Sequence, residues 1–180
     1  LEGRAGLLLR ALGRRQWDEM TLSVTEGYGE GKAAENEENT EENLIMKKYL
    51  ITGCAGFIGS NFVHYMLKKY PEILLVNLDK LTYAGNLENL KDVEGDPRHV
   101  FVQGDICDKE LVESLFAKYD FDYVINFAAE SHVDRSIKNP EIFVQSNVMG
   151  TVNLLQRAKE AWYDADAKTW KEGKKYLQVS

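Results

Sequence analysis

The sequence predicts an α/β fold, a doubly wound parallel sheet, from three observations. Lys48 to Ser60 is a short apolar run that breaks into three glycines spaced three apart, Gly53, Gly56 and Gly59. From Met46 onward, strand-like runs alternate with helical patterns long enough to serve as the crossovers that parallel strands require. A second strand then closes on a carboxylate, Asp79, about 26 positions after Gly53.

Taken in order, the first strand spans about residues 48–53. Gly53 lets the chain turn tightly out of it, Gly56 lets backbone approach a pyrophosphate without a Cβ in the way, and Gly59 lets the next helix pack against the sheet. That helix runs from Phe57 to Tyr70, because Phe57, Ile58, Phe62, Val63, Met66 and Leu67 recur at the helical period and Pro71 closes it. The second strand, Ile73 to Asp79, is largely apolar, as a strand covered on both faces should be. Lys80 to Pro97 reads as a polar connection with at most one short helix around Leu87 to Leu90. A third strand, His99 to Gln103, leads into Gly104-Asp105-Ile106, after which Asp108 caps a helix through Lys118. The fourth strand, Tyr123 to Ala128, runs into Ala129-Glu130-Ser131-His132-Val133-Asp134. A long helix follows Pro140 as far as Trp162, and the last strand covers 174–180. Right-handed crossovers then give a Rossmann-like arrangement, with a ligand across the strand ends where the strand order reverses. There is no internal repeat and no room for a second domain, so the sheet is read as truncated before a substrate-binding part.

Residues 1–45 differ from the rest. They hold ten acidic and five basic side chains, against nineteen and seventeen in residues 46–180. The leader starts basic at Arg4, Arg10, Arg14 and Arg15 and ends in Glu35, Glu37, Glu38, Glu41 and Glu42, too polar to order against a core. Leu7-Leu8-Leu9 is too short for a secretory apolar region, and the glutamates contradict a transit peptide. The expected domains are therefore a disordered or appended leader, 1–45, and an incomplete Rossmann domain, 46–180, with Met46 as the natural start. No apolar run approaches the roughly 20 residues of a membrane span. The near-neutral body, with no basic stripe, argues against nucleic acid as a partner. Cys54 and Cys107 lack metal-ligand or CxxC spacing and read as small buried residues of a reduced, cytoplasmic protein, so no metal is expected.

The chemistry follows from the glycine loop and Asp79. Free amides at the positive end of the first helix should bind a diphosphate, and Asp79 can accept both hydroxyls of an adenosine ribose. Its charge would repel a ribose 2′-phosphate, which favours NAD over NADP. Lys80 beside it leaves room for the phosphate. Plain turns and caps are the bland readings of the same residues. Tyr65-Met-Leu-Lys-Lys69 fits a Tyr-x-x-x-Lys pattern, yet it lies in the first helix among residues expected to face the core and is read as chance. No Gly-x-Ser-x-Gly elbow occurs.

With those residues in place, Gly53-Cys-Ala-Gly-Phe-Ile-Gly-Ser-Asn61 resembles the loop of the extended short-chain dehydrogenases/reductases, the NAD-dependent sugar-nucleotide epimerases and dehydratases. Asp79-Lys-Leu-Thr-Tyr-Ala-Gly-Asn86, Gly104-Asp-Ile106 and Phe127 to Ile137 narrow the resemblance to the dTDP-glucose 4,6-dehydratase family, over Met46 to Ser180. The resemblance implies that Phe57 and Ile58 lie over the pyrophosphate, and that Asp79, Lys80, Leu81 and Thr82 hold the adenosine ribose. It implies Asp105 and Ile106 at the adenine, with Phe127, Ala128, Ala129 and Glu130 along the passage to the nicotinamide. Ser131 would meet both cofactor and sugar nucleotide, His132 would lie on the substrate side, and Ser146 would stand where the family usually has threonine. The implied reaction converts dTDP-glucose to dTDP-4-keto-6-deoxyglucose, in a full-length homodimer. The family's catalytic Tyr-x-x-x-Lys and Asp-Glu pairs are expected beyond Ser180, so no catalytic residue is assigned. The alternatives are another NAD-dependent sugar-nucleotide epimerase or dehydratase, and a non-catalytic NAD-binding module.

Overall fold

In the computed structural model, which describes residues 46–179, β1 (Lys47–Thr52), β2 (Ile73–Asp79), β3 (His99–Gln103), β4 (Tyr123–Asn126) and β7 (Lys175–Gln178) form one parallel sheet in the order β3-β2-β1-β4-β7. The leader expected over residues 1–45 lies outside the described residues. Alternate residues of a strand face opposite sides, and here both sides are apolar at the centre. Leu50, Val76, Leu78 and Val124 join a cluster with Val112, Leu115 and Phe116 of α2 (Lys109–Tyr119) and Leu154, Ala158 and Trp162 of α5 (Thr151–Trp162). Tyr49, Ile51, Leu75, Tyr123 and Ile125 turn the other way and are equally buried. That face is left for α1 (Phe57–Lys69), whose Phe62, Val63, Met66 and Leu67 are buried, and the Tyr49 and Tyr123 rings stack across it at 4.7 Å.

The expected elements are present with four differences. The fourth strand stops at Asn126 rather than Ala128, because the Ala128 N–H turns to side chains, donating to Asn126 Oδ1 at 3.2 Å and Thr52 Oγ1 at 3.4 Å. A short helix, α3 (Val133–Lys138), was not expected; it buries no residue and so carries no apolar stripe to read. The long helix after Pro140 is divided into α4 (Pro140–Phe143), a π-helical segment (Val144–Gly150) and α5. Between α5 and β7 a two-stranded antiparallel ribbon, β5 (Tyr163–Asp164) and β6 (Thr169–Trp170), packs its two rings at 5.0 Å. The short helix near Leu87 is a 3₁₀ segment, Leu87–Val93, whose Asn86 side chain accepts from the Glu88 N–H.

Arg98 ties the end of α1 to β3. Its Nη1 donates to the carbonyls of Leu67 and Tyr70, each at 3.0 Å, while Nε and Nη2 form a fork with Asp96 at 3.0 and 2.6 Å. The Arg98 guanidinium holds the Asp96 carboxyl below the usual carboxylate range. Arg98→Met should lower stability near neutral pH by about 2 kcal/mol, since two helix-end carbonyls and a carboxylate lose their donor. A depressed carboxyl stabilises the fold above its unfolded pKa and loses that contribution as pH falls through its folded value. The gap between variant and parent in urea denaturation should therefore narrow at acid pH.

Candidate functional site

The strand order reverses between β1 and β4, and such a switch opens a crevice at the carboxyl ends of the strands. Gly53 leaves β1 at φ +67°, and a Cβ there would sit 2.6 Å from Ala128 N and 2.8 Å from Phe127 C. Only glycine lets β1 and the end of β4 come this close. At Gly59 a Cβ would run into the Gly53 carbonyl oxygen, so this third glycine packs α1 against the loop itself rather than, as expected, against the sheet. Gly56 is the N-cap of α1, with no side-chain cap and no acidic residue in the first turn. The positive end of a thirteen-residue helix thus points its amides outward unneutralised. Phe57 and Ile58 stand exposed above it.

Asp79 is buried at the end of β2 and joins two loops. Its Oδ2 accepts from Ala55 N in the glycine loop and its Oδ1 from Leu81 N, both at 2.8 Å. Leu81 takes φ +56°, a left-handed conformation costly to a branched side chain, and the bond from its N–H helps to hold it. Lys80 reaches sideways to Asp105, Nζ to Oδ2 at 2.6 Å, and the other Asp105 oxygen accepts from Cys107 N at 2.9 Å. Burial pushes the Asp105 carboxyl up, but the Lys80 ammonium and the Cys107 amide outweigh it, and the net direction is down. The bond to Asp105 raises Lys80. Both groups are therefore charged at neutral pH.

Across the crevice Phe127 packs on Phe62, ring centroids 5.2 Å apart, and Ala128 and Ala129 offer little bulk. Asn147, on the π-helical segment, clasps the Glu130 backbone from both sides: Glu130 N donates to its Oδ1 and its Nδ2 donates to Glu130 O, both at 2.8 Å. The Glu130 side chain is buried, and its Oε2 has no hydrogen-bond partner; Arg135 Nε stands 3.7 Å away, beyond hydrogen-bond length. Arg135 lies over the Tyr83 ring at 4.0 Å, and Tyr83 meets His132 edge-on at 6.2 Å.

The cleft so formed is open in part to solvent. Of the residues singled out from sequence, Gly53, Gly56, Asp79, Lys80, Thr82, Asp105, Ile106, Phe127, Ala128, Ala129, Glu130 and Ser146 line it. Phe57, Ile58, Gly59, Leu81, Ser131 and His132 do not line it, and Ser131 and His132 are exposed. Leu78, Ala84, Gly85 and Gly104 also line the cleft and had been given no role. Ala84, Gly85 and Gly104 did fall within quoted motifs, but nothing local marks Asn147. Tyr65 is exposed, and its hydroxyl accepts from Lys69 Nζ at 2.6 Å outside the cleft. Cys54 is buried, and burial followed by the charge of Asp79 pushes its thiol far up; Cys107 is only partly buried, and burial raises it too. Among the described residues no group of three or more His, Cys, Asp or Glu could hold a metal, and no helix is long and apolar enough to cross a membrane.

A family model described as GDP-mannose 4,6 dehydratase matches residues 50–180. The dTDP-glucose 4,6-dehydratase of Xanthomonas campestris pv. campestris is 49% identical over 135 residues, 75% of this chain and 38% of its own length. A dTDP-glucose 4,6-dehydratase from Bacillus anthracis, solved in complex with NAD, superposes with TM-score 0.60 at 40% identity, over 74% of this chain and 37% of that one. DesIV, a dTDP-glucose 4,6-dehydratase from Streptomyces venezuelae with NAD and TYD bound, gives TM-score 0.59 at 48% identity, over 63% and 36%. This chain thus spans a little over a third of the length of the relatives it matches. By fold, cleft and likeness the chain belongs to the NAD-dependent epimerase/dehydratase family and, within it, to the dTDP-glucose 4,6-dehydratase family.

Proposed function

We propose that residues 46–180 are the NAD-holding Rossmann domain of a dTDP-glucose 4,6-dehydratase, with residues 1–45 an appended leader. The observation that carries the reading is Asp79, a buried carboxylate anchored by the glycine loop on one side and by Leu81 on the other, at the switch in strand order. The cleft fits a dinucleotide in two further respects. Its floor is bare backbone where a Cβ at Gly53 would collide, and Glu130 keeps an oxygen with no hydrogen-bond partner.

In this reading the first-turn amides of α1, with Phe57 and Ile58 above them, hold the diphosphate, while Asp79 with Lys80, Leu81 and Thr82 holds the adenosine ribose. Asp105 accepts from the adenine amine beside Ile106. Glu130 Oε2 accepts a hydroxyl farther along, and Ser146 donates one from the opposite wall. Ser131 and His132, exposed at the mouth, face the sugar nucleotide, dTDP-glucose. NAD, when bound, supplies reversible hydride acceptance at C4 of the glucose ring, which makes loss of water across C5 and C6 possible. The chain's own residues orient the cofactor and exclude water; no tyrosine lines the cleft, and its carboxylates are assigned to binding rather than to proton transfer. For the chain alone the reading is therefore NAD binding without turnover. Val144, Val148, Met149, Val152 and Leu155 present an exposed apolar stripe, the surface we assign to a second subunit of a homodimer. Free thiols at Cys54 and Cys107 accord with a cytoplasmic setting.

Titration calorimetry of this chain with NAD should show one site per chain, and the complete gene product should turn over dTDP-glucose in preference to UDP-glucose. No heat with NAD, or turnover of UDP-glucose alone, would overturn the reading.

A further inference from the structure

Lys80 is the only cationic side chain among the described residues lining the cleft, and it directly follows the ribose carboxylate Asp79. A cation at that place is what a ribose 2′-phosphate needs. Here the cation is engaged elsewhere. Its Nζ lies 2.6 Å from Asp105 Oδ2, across the gap between the ends of β2 and β3, and Asp105 is itself pinned through its other oxygen by Cys107 N at 2.9 Å. Asp79 cannot swing aside to admit a phosphate either, since each of its oxygens accepts a backbone N–H at 2.8 Å. The residues lining the cleft thus include three carboxylates, Asp79, Asp105 and Glu130, the last 3.7 Å from Arg135 Nε, and one cation, the paired Lys80 ammonium.

We propose that Asp105 is a cofactor-discriminating residue: by holding the Lys80 ammonium it withholds that charge from a 2′-phosphate and biases the site toward NAD over NADP. The inference rests on the cofactor reading above and adds to it the residue, outside the ribose contact, that sets the choice. Lys80 is half exposed, so the pair is screened and the effect is moderate. Asp105→Asn keeps an oxygen for Cys107 N while removing the charge, and Asp105→Ser does the same through its hydroxyl.

The readout is the ratio of NADP to NAD dissociation constants within each variant, by calorimetry on the full chain. Both cofactors share the adenine, so any loss of the adenine contact cancels. Asp105→Asn and Asp105→Ser should each narrow the ratio by about fivefold, and adding Lys80→Met to either should return it to the parent value. A ratio unchanged in both single variants, or a gain that survives loss of Lys80, would overturn the inference and leave NAD binding standing. A parent chain that binds neither cofactor would instead remove the cofactor reading, and the inference with it.

Discussion

Gly53→Ala should lower the unfolding free energy by about 3–5 kcal/mol. Two costs combine. At φ +67° an alanine pays for the left-handed conformation, and its Cβ would lie 2.6 Å from Ala128 N and 2.8 Å from Phe127 C. Those neighbours are backbone and cannot rotate away. Phe127 N donates to Thr52 O at 3.0 Å and Gly53 N to Leu78 O at 2.9 Å, so the strand ends on both sides are already tied. Gly95→Ala is the control: nothing lies within 4 Å of the added methyl, and the protein should melt as the parent does. Equal urea midpoints for the two variants would show that the close approach of β1 to the end of β4 is not what stabilises the cleft.

The second large effect is Asp79→Ala, expected to cost about 2–4 kcal/mol of stability and to abolish measurable NAD binding. Removing the carboxylate strips Ala55 N and Leu81 N of their acceptor at once, one of them in the glycine loop and the other at a residue with φ +56°. Asp79→Asn is the more searching variant, because its amide can accept from one of those donors only and must turn an N–H toward the other. It should fall between parent and alanine in denaturant while binding NAD no better than the alanine variant. NAD affinity retained in Asp79→Asn would detach the ribose from Asp79 and leave it a structural brace.

The core strands and the major helices were legible because their signals are local. The apolar run before Gly53, the helical period from Phe57 to Leu67 and the capping Asp108, whose side chain accepts from Leu111 N, each depend on residues close together in the chain. What escaped were elements without such a signal: α3 buries nothing, and β5 and β6 are two residues each. The break in the long helix escaped for another reason. Asn147 turns inward to clasp Glu130, and Gly150 sits where a Cβ would be 2.5 Å from Ile106 Cδ1. A π-helical segment accommodates both contacts, and both come from outside the helix.

Sequence alone determined which residues were the candidates for the chemistry: three glycines spaced three apart, and a carboxylate at the end of the next strand. Only the tertiary structure decided how they are employed. It set Gly53 against Ala128, gave Asp79 two backbone donors to anchor, and drew Lys80 onto Asp105. The physical reason is range. Glycine spacing and strand periodicity are written within a few residues, whereas these contacts join positions brought together by the register of β1, β2, β3 and β4.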